Sequence, residues 1–199
     1  MFPLGSVLFP HAPLVLHVFE PRYRALVRHC LDTEAEFGVV LIERGSEVGG
    51  GDVRFDVGTA AKIAEVRELS DERYALLAVG TRRLRVVEWL PDDPYPRARV
   101  DEIEERATDP ATADAVDPVR TALTRAHGLR AELGEHAGPL EFRLALDPTV
   151  ASFQLAAQAP IGPLDAYRLL CLDDTDERLD QLRVLVDDAI AVLQARLGG

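Results

Sequence analysis

The residues able to support covalent chemistry are few, and their spacing is unhelpful. Lys62 is the chain's single lysine. A phosphate-cradling loop needs Gly-x-x-x-x-Gly-Lys-Ser/Thr ahead of a helix. Lys62 instead stands between Ala61 and Ile63, and Gly49-Gly50-Gly51 has neither lysine nor a following helix. That triplet reads as a hairpin tip. A Ser-Lys dyad would require Lys62 beside Ser6, Ser46, Ser70 or Ser152, with its amine desolvated to lower its pKa. Lys62 lies in a predicted strand with its amine in water. No Gly-x-Ser-x-Gly elbow occurs. His29 and Cys30 are adjacent on a predicted helix, so they point about 100° apart. Cys30 joins the apolar stripe and His29 falls off it, giving a buried thiol and a surface imidazole. His11, His127 and His136 read as surface or loop positions. The sequence has no Cys-x-x-Cys and no His-x-x-x-His, so no metal site is expected. The paired acids Asp92-Asp93, Asp173-Asp174 and Asp187-Asp188 read as solvated. The expectation is therefore no catalytic residue, no metal and no cofactor.

The elements that hold these residues divide into two parts. Leu14 to Phe19 is a strand running into Pro21, whose fixed φ and missing N–H suit the first position of a helix. Tyr23, Leu26, Val27, Cys30 and Leu31 then recur on one face. Strands are predicted from Phe37 to Ile42, Gly58 to Leu69, Tyr74 to Val79, Leu84 to Trp89 and Ala98 to Ile103. Gly80 marks a bulge or bend, Ser70 to Arg73 a turn, and Pro91 to Pro96 a loop. Short strands separated by turns predict a small closed or half-closed barrel. Composition shifts near residue 105, and helices follow. One carries Val119, Leu123, Ala126 and Leu129, and one opens at Asp147-Pro148. A third covers Leu164 to Leu172. A last one starts at Asp174 with Glu177 three residues on, and its stripe is Leu179, Leu182, Val186, Ile190, Leu193 and Leu197. The expected division is a β subdomain over residues 1–105 and a helical subdomain over 106–199.

The chain has 199 residues and a net charge of -12. Most of that charge lies beyond residue 100, which makes phosphate-rich partners, nucleic acid and anionic membrane alike, poor matches. Met1-Phe2-Pro3-Leu4-Gly5 has no basic, apolar leader character. Two widely separated cysteines fit a reduced, cytoplasmic setting.

Six short patterns, in order, carry a family resemblance. Pro3-Leu4, Val7 and Phe9-Pro10 precede Phe19-Glu20-Pro21-Arg22-Tyr23. Phe37-Gly38-Val39-Val40 and Gly58-Thr59-Ala60-Ala61-Lys62-Ile63 come next. Asp71-Glu72-Arg73, Gly80-Thr81-Arg82-Arg83-Leu84, and Pro94-Tyr95 with Ala98 and Val100 complete the set. Together they resemble the substrate-binding N-terminal domain of Lon proteases over almost the whole chain. Three positions depart from that pattern. Val15 stands in place of proline, Leu84 in place of phenylalanine, and Glu72 in place of glycine, which disfavours a turn with positive φ at residue 72.

The resemblance implies an α+β fold: a PUA-like pseudo-barrel of about six strands with one inserted helix, followed by a C-terminal helical bundle. It implies a non-catalytic module that binds protein or peptide, an adaptor or chaperone-like protein. The partners would be unfolded or exposed protein segments, with a separate protease a further candidate. The expected contact surface is a groove between barrel and bundle, near Trp89, Pro91, Pro94 and Tyr95. A peptidase or other hydrolase with an unrecognised site, and a PUA-like RNA-binding protein, are the alternative classes. Oligomeric state is left open.

Overall fold

Pro21 opens helix α1 (Pro21–Thr33) directly after strand β2 (Pro13–Val18), so the local stereochemistry of one residue sets the strand-to-helix joint. This is a computed structural model that describes residues 1–33, 36–47, 51–69, 72–135 and 144–198. It divides into two compact units, Met1–Glu104 and Glu105–Gly199. In the first, β1 (Phe2–Leu4), β2, β3 (Phe37–Arg44), β4 (Val53–Glu68), β5 (Tyr74–Leu90) and β6 (Arg97–Glu102) form one mixed sheet. Its order is β1-β3-β4-β5-β2, with β6 also on β5. Among the described residues only β1 and β3 run parallel. β5 is the spine: β4 lines one edge, while β2 takes the first part of the other edge and β6 the last part. Among the described residues no ladder joins β1 to β2 or β6, so the sheet is not a fully closed barrel.

Gly80 does not end a strand, as its place in the sequence pattern allows; it sits inside β5. Ala61 pairs with Gly80 and Ala60 with Arg82, which leaves Thr81 as the extra residue of a bulge. The turn at Phe9 to Ala12 crosses here, with His11 N–H donating to Gly80 O at 2.8 Å and Gly80 N–H to Ala12 O at 3.0 Å. A Cβ at residue 80 would lie 2.3 Å from Phe9 O, so only glycine fits.

The structure corrects three expectations in this unit. β4 begins at Val53 rather than Gly58, because β3 runs on to Arg44 and gives Val53 and Arg54 a ladder. Leu31 is 42% exposed, whereas Tyr23, Leu26, Val27 and Cys30 are buried. Eight residues past Tyr23 the apolar stripe has drifted about 80° around the helix. Glu72 adopts φ 57° despite its side chain; its carboxylate is paired with Arg24 and, at 3.1 Å, with Arg28, which holds the β4–β5 turn. Residues 70 and 71 of that turn, and Gly49 and Gly50, lie outside the described residues.

The second unit holds α2 (Ala113–Glu132), α3 (Pro148–Ala156), α4 (Pro163–Cys171) and α5 (Thr175–Leu197). Side chains cap two starts as their spacing predicts: Asp147 accepts from Val150 N–H and Asp174 from Glu177 N–H, both at 3.0 Å. α2 ends in a Schellman motif. Gly134 is at φ +73°, its N–H donates to Ala131 O, and Glu135 N–H donates to Arg130 O. Leu179, Leu182, Val186, Ile190 and Leu193 of α5 are buried, while Leu197, the last helical residue, is 39% exposed. Burying those five contributes about 8–15 kcal/mol gross, an upper bound. His127 is not on the surface: it is buried on α2, with Nε2 2.9 Å from Gln158 O. His136 lies outside the described residues. Arg178 is fully buried on α5. It donates to Ser152 Oγ at 2.9 Å and Leu172 O at 2.6 Å, lies 3.6 Å from Glu105, and stacks on Phe153 with Cζ 3.9 Å from the ring centre.

Candidate functional site

In the first unit, α1 and strands β3, β5 and β6 surround a cavity of about 590 Å³. Its apolar wall includes Leu26, Phe37, Leu84, Leu90 and Tyr95. β6 contributes Ala98, Val100 and Glu102, which alternate along the strand, together with Arg97 at its start. The aromatic base of α1 is packed by Phe2, whose ring stacks on Tyr23 at 4.1 Å. Burial of Tyr23 pushes its hydroxyl up to about 12.

Charge in the cavity is arranged around Arg82. Its guanidinium bonds the Glu36 carboxylate and lies 3.0 Å from Glu102. The Glu36 hydrogen bond is the main reason the Arg82 pKa is raised. His29 is exposed beside the cavity, its ring 6.3 Å from that of Tyr95. Cys30 is buried beneath it, and desolvation raises its thiol pKa, which lowers the thiolate fraction that nucleophilic chemistry needs. The Met1 amine donates to Pro96 O at 2.6 Å and ties the start of the chain to the β5–β6 loop.

The four residues singled out in the sequence occupy different surroundings. Tyr95 is half-buried and lines the cavity. Pro91 and Pro94 are exposed on the same β5–β6 loop, where Asp93-Pro94 is a cis peptide. Trp89 is half-buried and does not line the cavity. Arg54 lies over its ring at 4.7 Å and is held by Asp52 at 2.5 Å and Asp92 at 3.7 Å. Sequence reasoning passed over Leu90, His29, Arg82 and Arg97, which also line the cavity.

The residues weighed for catalysis are placed as follows. Lys62 is exposed on β4, as are Ser6 and Ser46 in their loops. Ser152 belongs to the second unit and donates to Thr149 O at 2.7 Å while accepting from Arg178. Among the described residues no helix is long and apolar enough to cross a membrane.

Among the described residues, a six-stranded sheet with one inserted α-helix, followed by four α-helices, defines an α+β protein whose first unit carries an open cavity. Residues 1–188 match the family described as the ATP-dependent protease La (LON) substrate-binding domain, and the chain belongs to that family. A solved Lon N-terminal domain protein from Xanthomonas campestris is 31% identical. It superposes with a TM-score of 0.64 over 91% of this chain and 94% of that one. The N-terminal domain of a Mycobacterium avium complex Lon protease, 19% identical with a TM-score of 0.65, shares the fold over 94% of this chain and 97% of its own. Lon protease 2 of Sorangium cellulosum is 29% identical over 96% of this chain, but that match is 24% of the protease. Lon protease 2 of Myxococcus xanthus is 33% identical over 52% of this chain and 13% of its own length. The chain thus spans a quarter or less of these curated relatives.

Proposed function

We propose that this chain binds exposed or unfolded segments of other polypeptides without cutting them, with the cavity beside Tyr95 as a principal contact surface. The observation that carries this reading is the cavity itself, which joins apolar walls from Leu26, Leu90 and Tyr95 to a few convergent charged groups around Arg82, the usual make-up of a binding site. Pro91 and Pro94 share a loop with Tyr95, so a bound segment would run past them, and Trp89 would be a peripheral contact. Acidic net charge favours protein over nucleic acid as partner. In this reading the protein works in the cytoplasm and hands its clients to a separate protease.

The test is anisotropy of a fluorescently labelled, permanently unfolded protein titrated with this chain. Tyr95→Ala should weaken binding by about 1–2 kcal/mol, roughly five- to thirtyfold in Kd. Casein incubated with the protein, with or without ATP, should stay intact. Unchanged affinity in Tyr95→Ala would move the contact surface elsewhere, and casein cleavage would refute the non-catalytic assignment.

A further inference from the structure

β2 is an edge strand whose outer backbone is unpaired among the described residues. Two observations fix which groups face outward. Gly80 N–H donates to Ala12 O, and the register continues Leu14 to Ala78 and Leu16 to Leu76, so the even-numbered residues of β2 bond to β5. Across β5, Leu69 N–H donates to Arg73 O, which turns residues 75, 77 and 79 toward β4 and agrees with that parity. In an antiparallel ladder these roles alternate. Val15 and His17 therefore present their N–H and C=O groups to the open edge. Their side chains are exposed too, Val15 at 67%. The other edge strands are protected: β1 is three buried residues, and β6 carries Arg97, Arg99, Asp101 and Glu102. β2 carries no Lys, Arg, Asp or Glu.

The strand leads into a pocket of about 170 Å³, the size of one side chain. Leu16, Val18, Phe19 and Tyr23 wall it, and Glu20 and Glu47 stand at its polar side. Glu20 also pairs with Arg22 at 3.1 Å, and Glu47 accepts from Gly5 N–H at 2.5 Å, so both carboxylates are held in place. An apolar sleeve ending in carboxylates matches a long side chain with a cationic head.

Resting on the reading that this chain binds polypeptide segments, we infer that β2 receives an extended client segment by strand addition, and that the pocket takes an arginine or lysine of that segment. Main-chain bonds to Val15 and His17 supply affinity independent of sequence, and the pocket supplies selectivity.

The probe is a labelled six-residue peptide, matching the length of β2, that alternates valine and threonine around one arginine. Its comparisons are the same peptide with glutamine for arginine, and one N-methylated on alternate amides. Val15→Pro removes the outward donor without taking a bond from the β2–β5 ladder, and proline is the residue the family pattern carries there. Glu47→Gln removes charge and keeps an acceptor for Gly5 N–H. The arginine-to-glutamine change, Glu47→Gln and Val15→Pro should each weaken binding about five- to tenfold, the loss of one charged contact or one backbone bond, and the N-methylated peptide, which loses several bonds, should lose more than about tenfold. The arginine-to-glutamine and Glu47→Gln effects should both fade in high salt, and the backbone effects should not. Equal binding of the N-methylated peptide, or of all peptides to Val15→Pro, would overturn the inference. So would a dimer that Val15→Pro abolishes in sedimentation, since the edge would then belong to a second copy. The unfolded-protein probe with Tyr95→Ala runs alongside. If it binds through Tyr95 while the β2 changes do nothing, the edge is refuted and the cavity reading stands. If the wild type binds neither probe, both fall.

Discussion

Replacing Arg178 by methionine tests what holds the helical unit together. The side chain has no exposure, yet it carries a full charge. Its bonds to Ser152 Oγ and Leu172 O are charge-assisted, worth about 1.5–3 kcal/mol each, and its stacking on Phe153 adds about 1–2 kcal/mol. Against these stands the desolvation of the guanidinium, which can cancel most of the gain. Methionine fills similar space and keeps a sulfur contact to the Phe153 ring of about 0.3–1.5 kcal/mol. It leaves the Leu172 carbonyl, the Ser152 hydroxyl and the Glu105 carboxylate without their cation, however. Removing one member of a buried charged set costs about 3–5 kcal/mol, and we expect Arg178→Met to fall in that range. Arg178→Lys keeps the charge but loses the planar fork and the stacking, so it should lie between methionine and wild type. With a urea slope of about 1–3 kcal/mol per molar, the helical circular-dichroism midpoint of Arg178→Met should drop by about 2 M. An unchanged or higher midpoint would refute the reasoning, since the apolar replacement would then outweigh the whole network.

Two further outcomes follow from local geometry. Glu72→Gly removes the left-handed strain at φ 57°, worth about 1 kcal/mol, but gives up an exposed pair with Arg24 and Arg28 worth about 0.5 kcal/mol. Thermal denaturation should show slight stabilisation that grows in high salt, and destabilisation at every salt concentration would contradict it. Glu135 bonds Arg130 at 2.9 Å and Arg196 at 2.8 Å, with Arg130 the leading cause of its lowered pKa. A depressed carboxylate stabilises above its unfolded value of 4.5 and loses that contribution as pH falls through its folded value. The stability gap between wild type and Glu135→Gln should therefore be full at neutral pH and close in acid.

Much of the scaffold was legible because it rests on short-range rules. The Pro21 helix start, the Asp147 and Asp174 caps, the opposed surroundings of His29 and Cys30, and the Gly80 bulge each depend on a few neighbouring residues. The misreadings have long-range causes. Glu72 turns left-handed because arginines of α1, over forty residues away in sequence, hold its carboxylate. His127 is buried because Gln158 of the second unit receives it. The cavity draws on α1, β3, β5 and β6, so no single window of sequence shows it. The aromatic, proline-rich loop drew attention to both Tyr95, which lines the cavity, and Trp89, over which Arg54 lies.

β5 also limits how this chain can change length over evolution. A residue inserted into or deleted from its interior shifts register against its partner strands unless a bulge like that at Thr81 absorbs it, and an unabsorbed one-residue slip turns every following side chain to the opposite face. A change in length within the seventeen residues of β5 therefore has to satisfy three partner strands, whereas one in the β3–β4 connection disturbs no ladder of β5.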